Sequence, residues 1–515
     1  MAKFGGITIG PIVDTLSMVS KPAGLWGASY LFSYLAEQLC LEILKGESHS
    51  MGVEAEDFVE PVVRLENGGL HIAYKDGDQE KNGAVIMKDA GVGLLHDRII
   101  WKINNDKSVE ENIQEMQSLI AKAKDNTIFA IFGQQDKAGQ NEARIREYFQ
   151  QYLQIKGICV EVDEGQNPLL AISDYLDAVE LKKTLGSREE RNYVLEYLDN
   201  QKIKNVSYFP RTGSFSLAEK DSEGSYRIRD LESICKMGRK GFKTDRYFAI
   251  VQADGDNMGK TIAKMETMEE IRKFSMFCIK AALTAYEKVK KYGGYMIYAG
   301  GDDLLFLAPL VGKDKNETLI PLLQELSQNF KNLVKEELGS LNLDKEPTLS
   351  FGVSIQYYKY PLYEAFAESR YRLFGVAKQE KEKDAISLKV QKHSGQSLQL
   401  LLKSVSNSPY TEVLNEFFHM KVENEIMNSV YTQFRLYKQN LIVAYGRDDV
   451  LHLEALMKNL FDNAGQKAAT EYLNKTLKLA KAFYNDATYD TPEEKVENFL
   501  AFLKLVQFYF EKGEE

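Results

Sequence analysis

Apolar and polar positions are patterned most legibly between residues 246 and 390. An apolar run over 247–253 predicts a buried strand that stops at Asp254, and Gly255-Asp256-Asn257-Met258-Gly259 predicts the turn after it. Ile271, Phe274, Cys278, Ala281, Ala285 and Val289 then recur at steps of three and four, the stripe of a helix halted by Gly293-Gly294. Two short apolar runs, 295–299 and 304–308, flank Gly300-Gly301-Asp302-Asp303, which reads as a hairpin with an acidic tip. A second helix, predicted to start at Asn316 and to carry Leu319, Leu322, Leu326, Phe330 and Leu333, leads to the alternation Leu349, Phe351, Val353, Ile355, Tyr357. A third helix follows Pro361, and a strand follows at 385–390. The order strand, helix, strand, strand, helix, strand is the ferredoxin-like plan, here lengthened by one helix and one strand.

The first 166 residues repeat a looser version of that plan. Strands are predicted at 4–9, near Leu70 and Val85, and at 97–101, 128–132 and 158–162, with a helix at 25–44. Residues 167–240 read as a connector, helical first and then polar. Beyond Gly395 strand signals fade, and Thr491-Pro492-Glu493-Glu494 introduces the helical stripe Val496, Phe499, Leu503, Val506, Phe510. The fold class is therefore α+β: a first ferredoxin-like domain at 1–166, a connector at 167–240, a second ferredoxin-like domain at 241–395 and a helical bundle at 396–515.

Length agrees with this division, because 515 residues at roughly 150 per domain allow three or four units. Lys and Arg total 65 against 75 Asp and Glu, a net charge of −10, which argues against broad adhesion to nucleic acid or anionic membrane. Cys40, Cys159, Cys235 and Cys278 are too scattered for a disulfide framework or a zinc site, so no structural zinc is expected. Glycine, proline and Asp14 interrupt the N-terminal stretch where a signal peptide needs a continuous apolar run, and no segment approaches a membrane span. A cytoplasmic location is the expectation.

Adjacent carboxylates at a hairpin tip raise one another's pKa unless a cation neutralises them. If the strand ending at Asp254 lies beside the hairpin, as the ferredoxin-like order requires, then Asp254, Asp302 and Asp303 converge. Carboxylate oxygens completed by substrate phosphates are how Mg²⁺, or Mn²⁺, is held in phosphoryl-transfer sites. Gly300 and Gly301 remove side chains from the approach and permit a tight turn. Lys260, Lys359 and Lys378 are candidates to meet phosphates. The plainer reading is that Gly-Gly-Asp-Asp is a solvated turn and each lysine a surface charge; the apolar strands on both sides and the Asp-Gly-Asp turn before them favour the site.

These motifs in this order, Asp254 to Lys260, Gly300-Gly301-Asp302-Asp303, Tyr358-Lys359-Tyr360-Pro361-Leu362, and Ala377-Lys378 with Asp384-Ala385-Ile386, resemble the second palm domain of the CRISPR polymerases. These are the large subunits of type III CRISPR effector complexes, and the Cmr (III-B) branch is the nearest in pattern. Ile9-Gly10-Pro11 with the segment 25–31 resembles that branch's first palm. The resemblance implies two nucleotidyl cyclase-like palms. It implies that Asp254, Asp302 and Asp303 hold two Mg²⁺ ions, that Lys359 and Lys378 contact a triphosphate, and that Gly255 and Gly259 let backbone amides approach it. It further implies adenylyl transfer from ATP with release of pyrophosphate, a cyclic oligoadenylate product, and activation by target RNA. The implied partners are guide RNA and other complex subunits, including a small helical one docking on the tail. With no acidic pair of its own, the first palm would bind the acceptor nucleotide rather than catalyse.

The sequence departs from the family pattern in several places. It begins at a palm strand rather than at a histidine-aspartate nuclease domain, so that activity is expected to be missing; His96-Asp97 reads as a chance dipeptide, without metal-ligand spacing to His49, His71, His393, His419 or His452. Asp14 and Ser20-Lys21-Pro22 stand where glutamine and basic residues are expected beside Gly10-Pro11. The acceptor therefore stays open between a second ATP and S-adenosylmethionine, to which some relatives without the nuclease domain join AMP. A diguanylate cyclase-like enzyme and a catalytically silent scaffold remain as alternatives. The former normally carries acid-acid-Phe after the glycines, where this chain has Asp302-Asp303-Leu304.

Overall fold

The computed structural model describes residues 1–45, 51–77, 79–132, 140–182, 191–200, 218–220, 226–228, 230–237, 241–314, 317–420, 422–461 and 467–512. In the first unit, strand β1 (Ala2–Gly10) precedes helix α1 (Pro22–Lys45), β2 (Phe58–Glu60), β3 (Arg98–Ile103), helix α2 (Val109–Phe132) and β4 (Gln154–Val162). The sheet order is β2-β3-β1-β4, with β1 antiparallel to both neighbours. Helix α1 is apolar on nearly every face because it is enclosed: Leu25, Leu31, Leu35 and Leu39 are wholly buried.

The second unit repeats that topology. Strand β5 (Tyr247–Asp256), helix α3 (Met268–Tyr292), β6 (Tyr295–Gly300), β7 (Asp303–Pro309), helix α4 (Leu319–Leu338) and β8 (Thr348–Tyr357) give the order β6-β7-β5-β8. After helix α5 (Leu362–Arg370), β9 (Ile386–Gln391) joins β8 in parallel and β10 (Ser397–Leu402) closes that side. Thr267 and Glu270 cap α3 reciprocally and Gly293, at φ +101°, ends it in the left-handed conformation that glycine adopts freely. Phe277 of α3 meets Phe330 of α4 edge to face at 5.5 Å, one of the contacts that fix the two helices on the sheet.

Four expectations are corrected. Val85 lies in a helix, Gly83–Ala90, which the Asn82 side chain caps by accepting from the Ala84 N–H. Residues 128–132 are the last turn of α2: Ile128 and Ile131 face inward three residues apart while Phe129 is exposed, the helical spacing that a five-residue apolar run conceals. Strands do not stop near Gly395, because Leu400 and Leu402 of β10 alternate inward on the sheet edge. The sixth strand thus draws residues expected in the bundle into the second sheet. Helix α4 starts at Leu319, after Thr318, while Asn316 and His49 lie outside the described residues.

Within 167–240, helices Pro168–Glu180, Tyr193–Asn200 and Leu231–Cys235 are present, and the polar segment at 201–217 lies outside the described residues. The C-terminal region is helical from Tyr410–Phe418 to Pro492–Phe510, the last helix burying Val496, Phe499, Leu503 and Val506. No helix among the described residues is long and apolar enough to cross a membrane.

The two units touch through the hairpin strand. Ala299 N–H donates to the Gly93 carbonyl at 2.9 Å, and the Ser29 hydroxyl donates to the Ile297 carbonyl at 3.0 Å. Strand β6, at the edge of its own sheet, is thereby covered by the first unit.

Candidate active site

Register places the acids. Ala253 of β5 pairs with Leu304 of β7, and Gly300 of β6 pairs with Asp303, so the end of β5 comes level with the hairpin turn. Gly301 and Asp302 form the two-residue tip, Gly301 with φ +65° as such a tight turn demands. The carboxyls of Asp254 and Asp303 hydrogen-bond one another. Asp302 packs on Gly255, where a Cβ would fall 2.5 Å from Asp302 Oδ2. Gly255 therefore makes room for the hairpin acid, a stricter reason for glycine than the expected approach of a phosphate.

Crowding raises these acids. Burial first, then repulsion from Asp254, lifts Asp302 to about 6, although its own backbone amide and Lys378 oppose this. Asp303 is pushed well above the ordinary carboxylate range by burial and then by Asp302 and Asp254. By accessible surface Asp302 is half-buried and Asp303 exposed, so both remain open to an incoming ligand.

Lys378 supplies the cation of the site. Its ammonium donates to the Gly255 carbonyl at 2.6 Å, pairs with Asp254 and lies 3.0 Å from Asp256 Oδ1. Burial pulls its pKa down, and Asp256 and Asp254 outweigh that and raise it. Asp256, wholly buried, was not among the expected site residues. Its Oδ2 accepts from Thr348 and Ser350, each at 2.8 Å, and from the Asp384 amide at 3.1 Å. The signal for it was present in the sequence, since Asp254 and Asp256 are two apart on a strand and share a face.

The remaining expected residues divide. Gly300 is held against Tyr298, whose hydroxyl would lie 2.4 Å from a Cβ there. Gly259 and Lys260 are exposed in the short helix Met258–Ile262, and nothing stands within 4 Å of a Cβ built on Gly259. Lys359 is not at the site. Asp254 pairs with Ser350, whereas Lys359 follows Tyr357, which pairs with Tyr247 at the opposite end of the sheet. Strand runs from Ser350 to Tyr357, on the order of 23 Å, and Lys359 lies in the turn beyond it. There its ammonium stacks over Tyr358 at 5.5 Å.

His96-Asp97, read as a chance dipeptide, lies at the hairpin instead. His96 Cδ2 would be 4.0 Å from a Cβ on Gly301, and His96 Nε2 lies 3.3 Å from Glu60 Oε1. Burial lowers the pKa of this imidazole, but Glu60 outweighs it and raises the net value. Asp97 borders two clefts at once. One runs between the units to Asp303; the other, of about 300 Å³, is lined by Gly10, Pro11, Asp14, Lys156 and Glu180.

Among the described residues no group of three His, Cys, Asp or Glu side chains is by itself set to hold a metal. What is formed is a pair, Asp254 and Asp303 in contact, all-oxygen and beside the Lys378 ammonium. One or two carboxylates completed by substrate phosphates are sufficient for Mg²⁺, and the pair fits that donor set.

Two ferredoxin-like units facing one another across an acid-tipped hairpin define a protein of the palm class. Residues 247–387 match the family model described as Cas10/Cmr2, second palm domain. Over 231 residues the chain is 28% identical to the CRISPR system Cmr subunit Cmr2 of Pyrococcus furiosus, a match covering 38% of this chain and 25% of that protein. The matched stretch thus spans a quarter of that relative's length. Among solved structures, a type III-B Cmr-beta complex in the apo state is similar with TM-score 0.52 at 12% identity, covering 99% of this chain and 82% of the other. A Csm1–Csm4 cassette in complex with cA4 gives TM-score 0.52 at 13% identity, covering 98% and 69%. Residues 247–387 thus match the Cas10/Cmr2 second palm, and the chain is similar over part of its length to a Cmr2 subunit.

Proposed function

We propose that the second palm transfers the adenylyl group of ATP to a ribose hydroxyl of an acceptor held between the palms, as part of a type III CRISPR complex that signals target RNA. The observation that carries this is the contact between Asp254 and Asp303 beneath the glycine turn, with Lys378 alongside. In the reaction, the acceptor oxygen bonds to the α-phosphorus, the bridge from α- to β-phosphate breaks, and pyrophosphate departs with the bridging oxygen. Lys378 offsets charge on the phosphates while Asp256 fixes its position. His96, paired with Glu60, stands beside the tip at Gly301. Asp254 and Asp303, with Asp302 adjoining, would hold Mg²⁺, which when bound neutralises phosphate charge and acidifies the attacking hydroxyl. A complex of stated type, structures of similar fold solved with cA4 and with one ATP, and the palm match support this reading.

The acceptor is a second ATP, giving a cyclic oligoadenylate, or S-adenosylmethionine. One observation favours the latter: the cleft beside Gly10-Pro11 carries Asp14 and Asp97, with Glu180, paired to Arg98, at its rim. Its single lysine, Lys156, is occupied by the carbonyls of Val179 and Glu180 at the end of helix Pro168–Glu180. Such a wall repels a triphosphate and attracts a sulfonium or ammonium group. We also read the C-terminal helices, which expose Leu436, Val443 and Leu451, as the face for a small helical subunit, with the complex acting in the cytoplasm.

The test is to assemble the complex with guide and matching RNA, supply ATP and Mg²⁺ with or without S-adenosylmethionine, and weigh the products. Asp302→Ala with Asp303→Ala is expected to leave folding intact and abolish product. Unchanged turnover refutes the assignment, and guanine dinucleotides formed from GTP instead would replace it with the cyclase reading.

A further inference from the structure

The cleft between the two units has a cavity volume of about 160 Å³ and reaches from Asp303 to Arg370. Its walls are mostly apolar, with Leu16 and Phe32 from the first unit facing Phe366, Leu373 and Phe374 from the second. The lining is that of a small-molecule site, in which a few placed polar groups orient a flat apolar body.

Arg370 is the cation on that wall. Its guanidinium stacks on the Phe374 ring, 4.7 Å from centroid, and among the described residues no carboxylate pairs with it. Most arginines with an acidic neighbour in this protein have taken it: Arg64, Arg98, Arg191 and Arg372 all form ion pairs. An arginine without one, half-buried in a cleft that also holds a candidate catalytic acid, retains its donors for a ligand.

The seat beneath it is rigid. Arg370 ends α5 where the chain passes into a π-helical turn, Tyr371–Val376, a rare conformation that recurs at functional sites. The turn lies directly on the sheet at Gly352, where a Cβ would come within 2.2 Å of the Ser369 carbonyl and 2.3 Å of the Leu373 nitrogen. Gln252 of β5 fastens the same turn by donating to the Phe366 carbonyl at 3.1 Å and the Ser369 hydroxyl at 2.8 Å. The strand that ends in Asp254 therefore also fixes the helix that ends in Arg370.

We propose that Arg370 is the positioning residue of the cleft, binding a phosphate of the nucleotide whose base lies on the wall of Leu16, Phe32, Phe366 and Leu373. The guanidinium lies over the Phe374 ring. The role rests on the adenylyl-transfer reading only through the choice of nucleotide.

The test uses the assembled complex with Mg²⁺ and the ATP analogue AMPPNP. R370Q, which removes the charge and shortens the side chain, is expected to weaken AMPPNP binding and raise KM for ATP by roughly 10–100-fold with kcat nearly unchanged, the size of a lost charged hydrogen bond. R370K, a point charge without the planar fork, recovers part of that affinity. Wild-type binding and KM in R370Q, or a fall in kcat at constant KM, overturns the assignment. Absence of any product from wild-type complex and ATP would remove the transfer reading instead, so the two failures are told apart.

Discussion

Asp256 shows how much of a site is built from groups that never meet substrate. It is wholly buried, and its two oxygens are shared between Lys378 on one side and Thr348, Ser350 and the Asp384 amide on the other. Asp256→Asn turns an amide toward donors that need an acceptor, and breaking a buried pair of this kind costs about 3 kcal/mol. Urea unfolding is expected to show that loss, and product mass a drop in turnover as Lys378 drifts from its place. Acidity gives a second check on the same residues. Asp302 is held at about 6 in the fold against 3.8 ordinarily, so the folded chain binds this proton more tightly than the unfolded chain. Its contribution to stability is present in full below pH 3.8 and is lost as pH rises through about 6. In chelated protein this group should favour the fold at pH 5 over pH 7, a difference that Asp302→Asn removes in thermal melts. Activity runs the other way and falls as pH drops through about 6, because the protonated acid no longer attracts a cation.

At the scale of elements, the second palm was legible because its strands and helices carry unmixed periods: alternation from Leu349 to Tyr357, steps of three and four from Ile271 to Val289. The convergence of Asp254 with Asp303 followed from topology alone. Lys359 was misplaced because a one-dimensional motif does not say which end of a strand its neighbour occupies, and His96 was missed because its contact with Gly301 joins residues some two hundred positions apart. Strand β10 was hidden in Leu398-Gln399-Leu400-Leu401-Leu402, which also fits a helix. That strand leads into Lys403, a buried lysine whose ammonium pairs at 2.8 Å with both Glu380, two residues past Lys378, and Glu494, in the first turn of the last helix. Lys403→Met leaves two carboxylates facing without their cation. We expect a loss of about 3 kcal/mol in denaturant unfolding, and a rise in KM for ATP as the segment carrying Lys378 loosens.

At the scale of the whole molecule, two units of identical strand order share the work unequally. The second brings the acid pair, Lys378 and Arg370; the first brings His96, Asp97 and an acid-lined cleft. Neither half contains a complete site, which fits a reaction that must hold two substrates at once.

The bonds from Gly93 and Ser29 to strand β6 carry a practical consequence. They act as a dust cover on an otherwise adhesive border, and whoever trims the protein to its second palm and helical tail peels that cover away. A fragment of residues 241–515 should accordingly clump in light-scattering measurements, and co-expression with residues 1–200 should return it to a dispersed, well-behaved species.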